Sequence, residues 1–148
     1  MIEYVYSIRN RKSSWRVNIK IIAEIKNCPN AQFKDGSIKV AERIWLKYAD
    51  EPLIKNEIFC ADYLPYFAEG LKLVQAEIQR NSSYDETLII INSVQFNPSD
   101  FQEEGLTAAI IEWASKAFNF QTPTINVDFD KKKNRYIFSE NPNFIKYL

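Results

Sequence analysis

The side chains of this sequence with the chemistry for catalysis are its carboxylates and two thiols, because histidine is absent. Without imidazole there is no Ser-His-Asp or Cys-His nucleophile system and no histidine-based metal site. Cys28 and Cys60 are too few for a four-thiolate zinc site, and their spacing fits no short metal motif. Asp128 and Asp130 are expected on one side of a strand, and Glu103-Glu104 at a helix start. A two-carboxylate mechanism needs carboxyls that face each other across a pocket with pKa values pushed apart. Asp128 and Asp130 flank Phe129 near a turn instead, where exposure is expected. Cys60 precedes a helix, which favours a thiolate, but Asp62 beside it opposes that shift, so a structural cysteine is expected. Gly36, Gly70 and Gly105 are dispersed and form no phosphate loop. A non-enzymatic protein with no metal and no cofactor is expected.

Charge is the more informative pattern. The 148 residues hold 19 basic and 19 acidic side chains, a formal net charge of zero. That neutrality removes the overall basic excess expected of a dedicated nucleic-acid binder. The zero is assembled from unequal blocks. Residues 1–60 carry 11 basic and 7 acidic side chains, residues 61–128 carry 3 and 10, and residues 129–148 carry 5 and 2. The acidic block includes Glu69, Glu77, Asp85, Glu86, Asp100, Glu103 and Glu104. Its plainest reading is a solvated helix face. Its sharper reading is a negative docking surface for a basic protein, since charge complementarity raises association rates and excludes wrong partners. Twenty-one aromatics exceed what a core of this size requires, and Phe101, beside the acids, is expected to be an exposed interface anchor. A second candidate surface combines Arg9, Arg11 and Lys12 with Lys131, Lys132 and Lys133 and would contact RNA phosphates. Trp15 belongs to an alternating apolar set and is expected in the core.

Those residues need elements to position them. Ile2, Tyr4, Tyr6 and Ile8 alternate, as do Trp15, Val17, Ile19 and Ile21, which predicts a hairpin. Residues 27–37 hold turn chemistry at Pro29, Asn30, Asp35 and Gly36, and Val40, Ile44, Leu46 and Tyr48 suggest a third strand. Leu64, Phe67, Leu71, Val74 and Ile78 then mark one amphipathic helix, with Asp62 as its cap and Glu69 and Glu77 facing solvent. Residues 87–96 read as a central strand, apolar on both faces at Leu88 to Ile91. A second helix follows, with Asp100 and Glu103 at capping-box spacing, Glu112 off its apolar stripe and Asn119 as its stop. Alternation at Ile125, Val127 and Phe129, a turn over residues 130–134, and Tyr136 to Phe138 predict a closing hairpin. The order βββ-α-β-α-ββ defines an α+β two-layer sandwich, a single domain over residues 1–148 with two helices on one face of a mostly antiparallel sheet. The longest strictly apolar run is Leu88 to Ile91 and the N-terminus lacks a basic, then apolar, leader. A cytoplasmic protein with reduced thiols is therefore expected.

Residues 63–118 resemble the fourth domain of elongation factor G. The similarity lies in Tyr63-Leu64-Pro65 opening a helix, Gly70 within it, the strand at residues 88–96, the turn at Pro98-Ser99-Asp100 and a helix with Ala108, Ala109, Ala114 and Ala117. The resemblance implies an α+β fold. In that family the turn reaches the ribosomal decoding centre on a loop carrying histidine, whereas residues 99–104 here are acidic and would be repelled by rRNA phosphates. In overall character the chain is similar to immunity proteins of bacterial toxin systems, small proteins that occlude a cognate toxin domain, often a basic nuclease. That resemblance implies a toxin domain as partner; the charge balance and the short apolar runs add the expectation of no nucleic acid and no membrane.

Overall fold

The first two alternating runs pair as read. A computed structural model of the protein describes residues 1–29, 36–138 and 145–146; Asn30 and Asp35 of the expected loop lie outside them. Strands β1 (Ile2–Ile8) and β2 (Val17–Asn27) form an antiparallel hairpin. Tyr6, Val17, Ile19, Ile21 and Ala23 are buried on one face, while Glu3, Val5 and Asn18 face outward, so period-two alternation decides which side meets the core.

The expected third strand is two strands, β3 (Ile38–Ala41) and β4 (Ile44–Tyr48). Arg43 adopts φ 64 in the turn between them, a left-handed conformation that lets the chain reverse. Strand β5 (Thr87–Phe96) lies at the centre, antiparallel to β2 and parallel to β4, giving the order β1-β2-β5-β4-β3. The architecture is α+β, its sheet mixed but mostly antiparallel.

One predicted helix is also two: α1 (Leu64–Leu73) and α2 (Gln75–Asn81), broken at Val74, whose φ −112 and ψ 21 leave the helical region. Asp62 does not cap α1; it sits in a single 3-10 turn over Ala61–Tyr63. The capping box also fails. Helix α3 runs Glu104–Ala117, later than the spacing implied, because Pro98–Asp100 forms its own 3-10 turn capped by the Asn97 side chain, which accepts from Ser99 N at 3.0 Å. Asn119 does stop α3: it takes φ 56, and Phe120 N donates back to Ser115 O at 3.0 Å.

All three helices cover one sheet face, where Phe67, Leu71, Ile78, Ile110 and Trp113 meet Ile19, Ile21, Ile89 and Ile91. Gly70 lets α1 approach α3 closely; a Cβ there would collide with the Ile110 side chain and lie 2.6 Å from Thr107 O. Thr107 Oγ1 adds a bond to Tyr66 O at 2.9 Å. On the opposite face Leu88 and Ile90 form a smaller cluster with Cys28, Trp45 and Ala49, so β5 is indeed apolar on both sides. The closing hairpin does not join this sheet. Among the described residues its strands β7 (Val127–Asp130) and β8 (Arg135–Phe138) pair only with each other, and the short β6 (Thr124–Ile125) pairs with β9 (Ile145–Lys146).

Candidate functional site

Pairing of Ile19 with Phe96 puts the β1–β2 loop and the β5–α3 turn at the same end of the molecule. Two of the sequence-derived surfaces therefore meet there. Asp100, Phe101, Glu103 and Glu104 come from the turn, and Arg9, Arg11 and Lys12 from the loop.

The turn is organised around an aromatic stack. A bulge in β5 causes this: Ile22 pairs with Ser93 and Ala23 with Ile91, leaving Asn92 as the extra residue. Alternation then changes phase. Ile89 and Ile91 face the helices before the bulge, and Val94 and Phe96 do so after it. Phe101 stacks on Phe96 at 3.8 Å and 15°, with Tyr63 tilted against it at 5.4 Å. Phe101 is thus half-buried, not the exposed anchor its acidic neighbours suggested. Burial raises the Tyr63 pKa, with help from nearby Cys60, Glu103 and Asp62. Glu104 is engaged elsewhere, paired with Arg135 of β8 at 3.1 Å.

Residues 49–60 lie along the open edge of β5 beyond the end of β4. Ala49 N donates to Ile91 O at 2.9 Å and Leu53 N to Asn92 O at 2.8 Å. The Glu57 carboxylate then substitutes for a strand partner, accepting from Ser93 Oγ at 2.6 Å and Val94 N at 3.0 Å. Tyr48 stacks on Phe59 at 4.4 Å and donates to Cys60 O at 2.6 Å. Fixed this way, the segment holds Leu53, Ile54 and Ile58 in water at 50%, 43% and 89% exposure. Ile58, Tyr63 and Phe96 line a shallow cavity of about 80 Å³ together with Glu57 and Cys60. That volume is far below the few hundred Å³ of a drug-sized ligand site. Sequence reasoning missed this segment; the signal available was three aliphatics within six residues that follow neither helical nor strand periodicity.

The remaining acids lie elsewhere. Asp85 and Glu86 precede β5, about 30 Å from its far end at ~3.3 Å per residue. Glu86 accepts from the Trp45 indole at 3.0 Å, and Glu77, expected in solvent, is half-buried and paired with Arg80 at 2.8 Å. Glu69 is exposed on α1 between the two ends. Glu112, also expected in solvent, is half-buried and accepts from Tyr4 Oη at 2.6 Å.

The two basic segments are brought side by side. Trp15 Nε1 donates to Asn134 Oδ1 at 3.1 Å, Asn10 N donates to Tyr136 Oη at 3.2 Å, and Tyr136 Oη donates to Trp15 O at 2.7 Å. Trp15 packs edge-on against Tyr136 and Phe129, as its place in the apolar alternation required. Among the described residues no three Cys, Asp or Glu side chains group as a metal site, and no helix is long and apolar enough to cross a membrane. Comparison with protein-family models and with curated proteins gives no match.

Proposed function

We propose that this chain is a non-enzymatic protein-binding protein of the immunity type, which docks a basic protein domain and covers its working surface. The observation that supports this is the end of the molecule where the fixed segment presents Ile58, 89% exposed, beside Tyr63 and Phe96, where Phe101 stacks on Phe96, and where the β5–α3 turn carries Asp100 and Glu103. The exposed apolar anchor supplies affinity, and Asp100 and Glu103, which have no ion-pair partner among the described residues, steer a cationic partner. Because the segment is already held by backbone bonds, little ordering entropy is lost on docking. The acidic surface is narrower in this reading than the charge count implied: Glu77, Glu86 and Glu104 are engaged within the chain.

The test is co-expression with a toxin domain encoded beside this chain's gene, followed by association kinetics on the purified pair. Growth rescue and a salt-sensitive on-rate that drops at least tenfold in Asp100→Lys/Glu103→Lys are expected. An unchanged on-rate in that variant rejects the acidic face, and failure to rescue rejects the immunity reading. The alternative, a ribosome- or RNA-associated module, would use Arg9, Arg11, Lys12 and Lys131 to Lys133; the turn adds nothing to it, since Asp100 and Glu103 would face rRNA phosphates.

A further inference from the structure

The basic segments are left over by the proposed docking face, which uses none of them. Arg9, Arg11 and Lys12 occupy one tip and Lys131, Lys132 and Lys133 the other, all six exposed. They are 119 or more positions apart in sequence, yet the Trp15–Asn134 and Asn10–Tyr136 bonds fix the tips against each other. The nearby acids compensate little of this charge. Asp128 lies 3.6 Å from Lys12, and Glu104 is paired with Arg135. Asp130 Oδ1 accepts the amides of Lys132 at 2.9 Å and Lys133 at 3.2 Å, a turn that directs the lysine run around the tip. Among the described residues Arg9, Arg11 and Lys131 to Lys133 have no ion-pair partner.

We infer that this two-tipped ridge binds the phosphate backbone of a nucleic-acid duplex without reading its sequence. The class follows from what the ridge offers and lacks. It offers cations on two rigidly joined loops, which suit a ligand carrying one charge per ~1.7 Å of axis. Among the described residues the aromatic nearest the tips, Trp15, is engaged within the chain, packed T-shaped against Phe129 and Tyr136 with its N–H bonded to Asn134, rather than offered to unstacked bases. Neutrality of the whole chain does not oppose this, since screening limits the reach of Asp100 and Glu103 to roughly 8 Å at physiological salt.

The test is fluorescence anisotropy of the full chain with a labelled DNA duplex of about 20 base pairs. With about four phosphates engaged, affinity falls roughly 100-fold between about 50 and 200 mM salt. K131Q/K132Q/K133Q and Arg9→Gln/Arg11→Gln each weaken binding at least tenfold at low salt while leaving the melting temperature in place, because all five side chains are exposed. No binding by the unaltered chain at low salt overturns the inference, as does retained binding in either variant. Tighter binding to a single strand, or to vesicles rich in phosphatidylserine, assigns the ridge to a different anionic partner. These outcomes are independent of the docking-face residues, so failure here leaves the protein-binding reading standing.

Discussion

Two single residues show how the core constrains chemistry. Gly70 sits where α1 packs tightly against α3, and the Cβ of any other residue meets the backbone oxygen of Thr107 at 2.6 Å. Backbone on the receiving side cannot rotate away, so the helices must separate. Gly70→Ala should therefore destabilise by about 1–3 kcal/mol, an overpacking cost. Thermal unfolding would register about 2–4 °C for each kcal/mol in a chain of this size. Glu112 is the complementary case. Burial raises its pKa, and the Tyr4 hydroxyl that donates to it offsets only part of the rise; burial first, and then the same contact, push Tyr4 up to about 12. A carboxyl whose folded pKa lies above its unfolded value binds its proton more tightly in the fold. Its contribution to stability is complete below the unfolded pKa and is lost as pH rises through the folded one. Glu112→Gln keeps an acceptor for Tyr4 and removes the titration. Denaturant unfolding from about pH 4 to pH 7 should show the native chain losing stability relative to the variant; parallel curves would reject the assignment.

At the scale of elements, Gln102 joins parts that strand pairing leaves separate. It is buried, its Nε2 donates to Tyr136 O at 2.6 Å, and its Oε1 accepts from Tyr136 N at 2.9 Å. One side chain thus imitates a strand and fastens the β7–β8 hairpin to the start of α3. Gln102→Ala leaves both backbone groups buried without partners, at about 1–3 kcal/mol apiece. Hydrogen exchange should show the hairpin amides losing protection before those of the five-stranded sheet; uniform loss would mean that the hairpin does not open by itself. Such side-chain substitutes for backbone explain what was illegible in the sequence. Alternation in β1 and β2, the stripe from Leu64 to Ile78 and the stop at Asn119 are local signals, and the structure follows them in which face is buried and where α3 ends, though not in the break at Val74. The bulge at Asn92, the Glu57 carboxylate on β5 and the Gln102 bridge each depend on a partner 34 or more positions away. No periodicity encodes them. The candidate face inherits the same limit: Asp100 and Glu103 were legible as acids near a turn, but the placement of Ile58 depends on the Glu57 anchor and the orientation of Phe96 on the bulge.

Across the whole molecule, the blocks of charge along the chain do not become separate hemispheres. The register places the basic β1–β2 loop at the end that carries Asp100 and Glu103, and Arg135 pairs with Glu104 between them. A basic partner approaching the acidic face is repelled by the basic loop beside it, so the two neighbouring patches would admit it in one orientation. The acids at the opposite end supply the control. Asp85 is exposed and lies about 30 Å from the docking end, several Debye lengths at physiological salt. Asp85→Lys changes net charge by the same amount as Asp100→Lys, but it should leave the partner's on-rate within about twofold, whereas Asp100→Lys slows association severalfold. If both substitutions slow association equally, net charge does the steering, and the acidic rim around the aromatic stack has no special place in it.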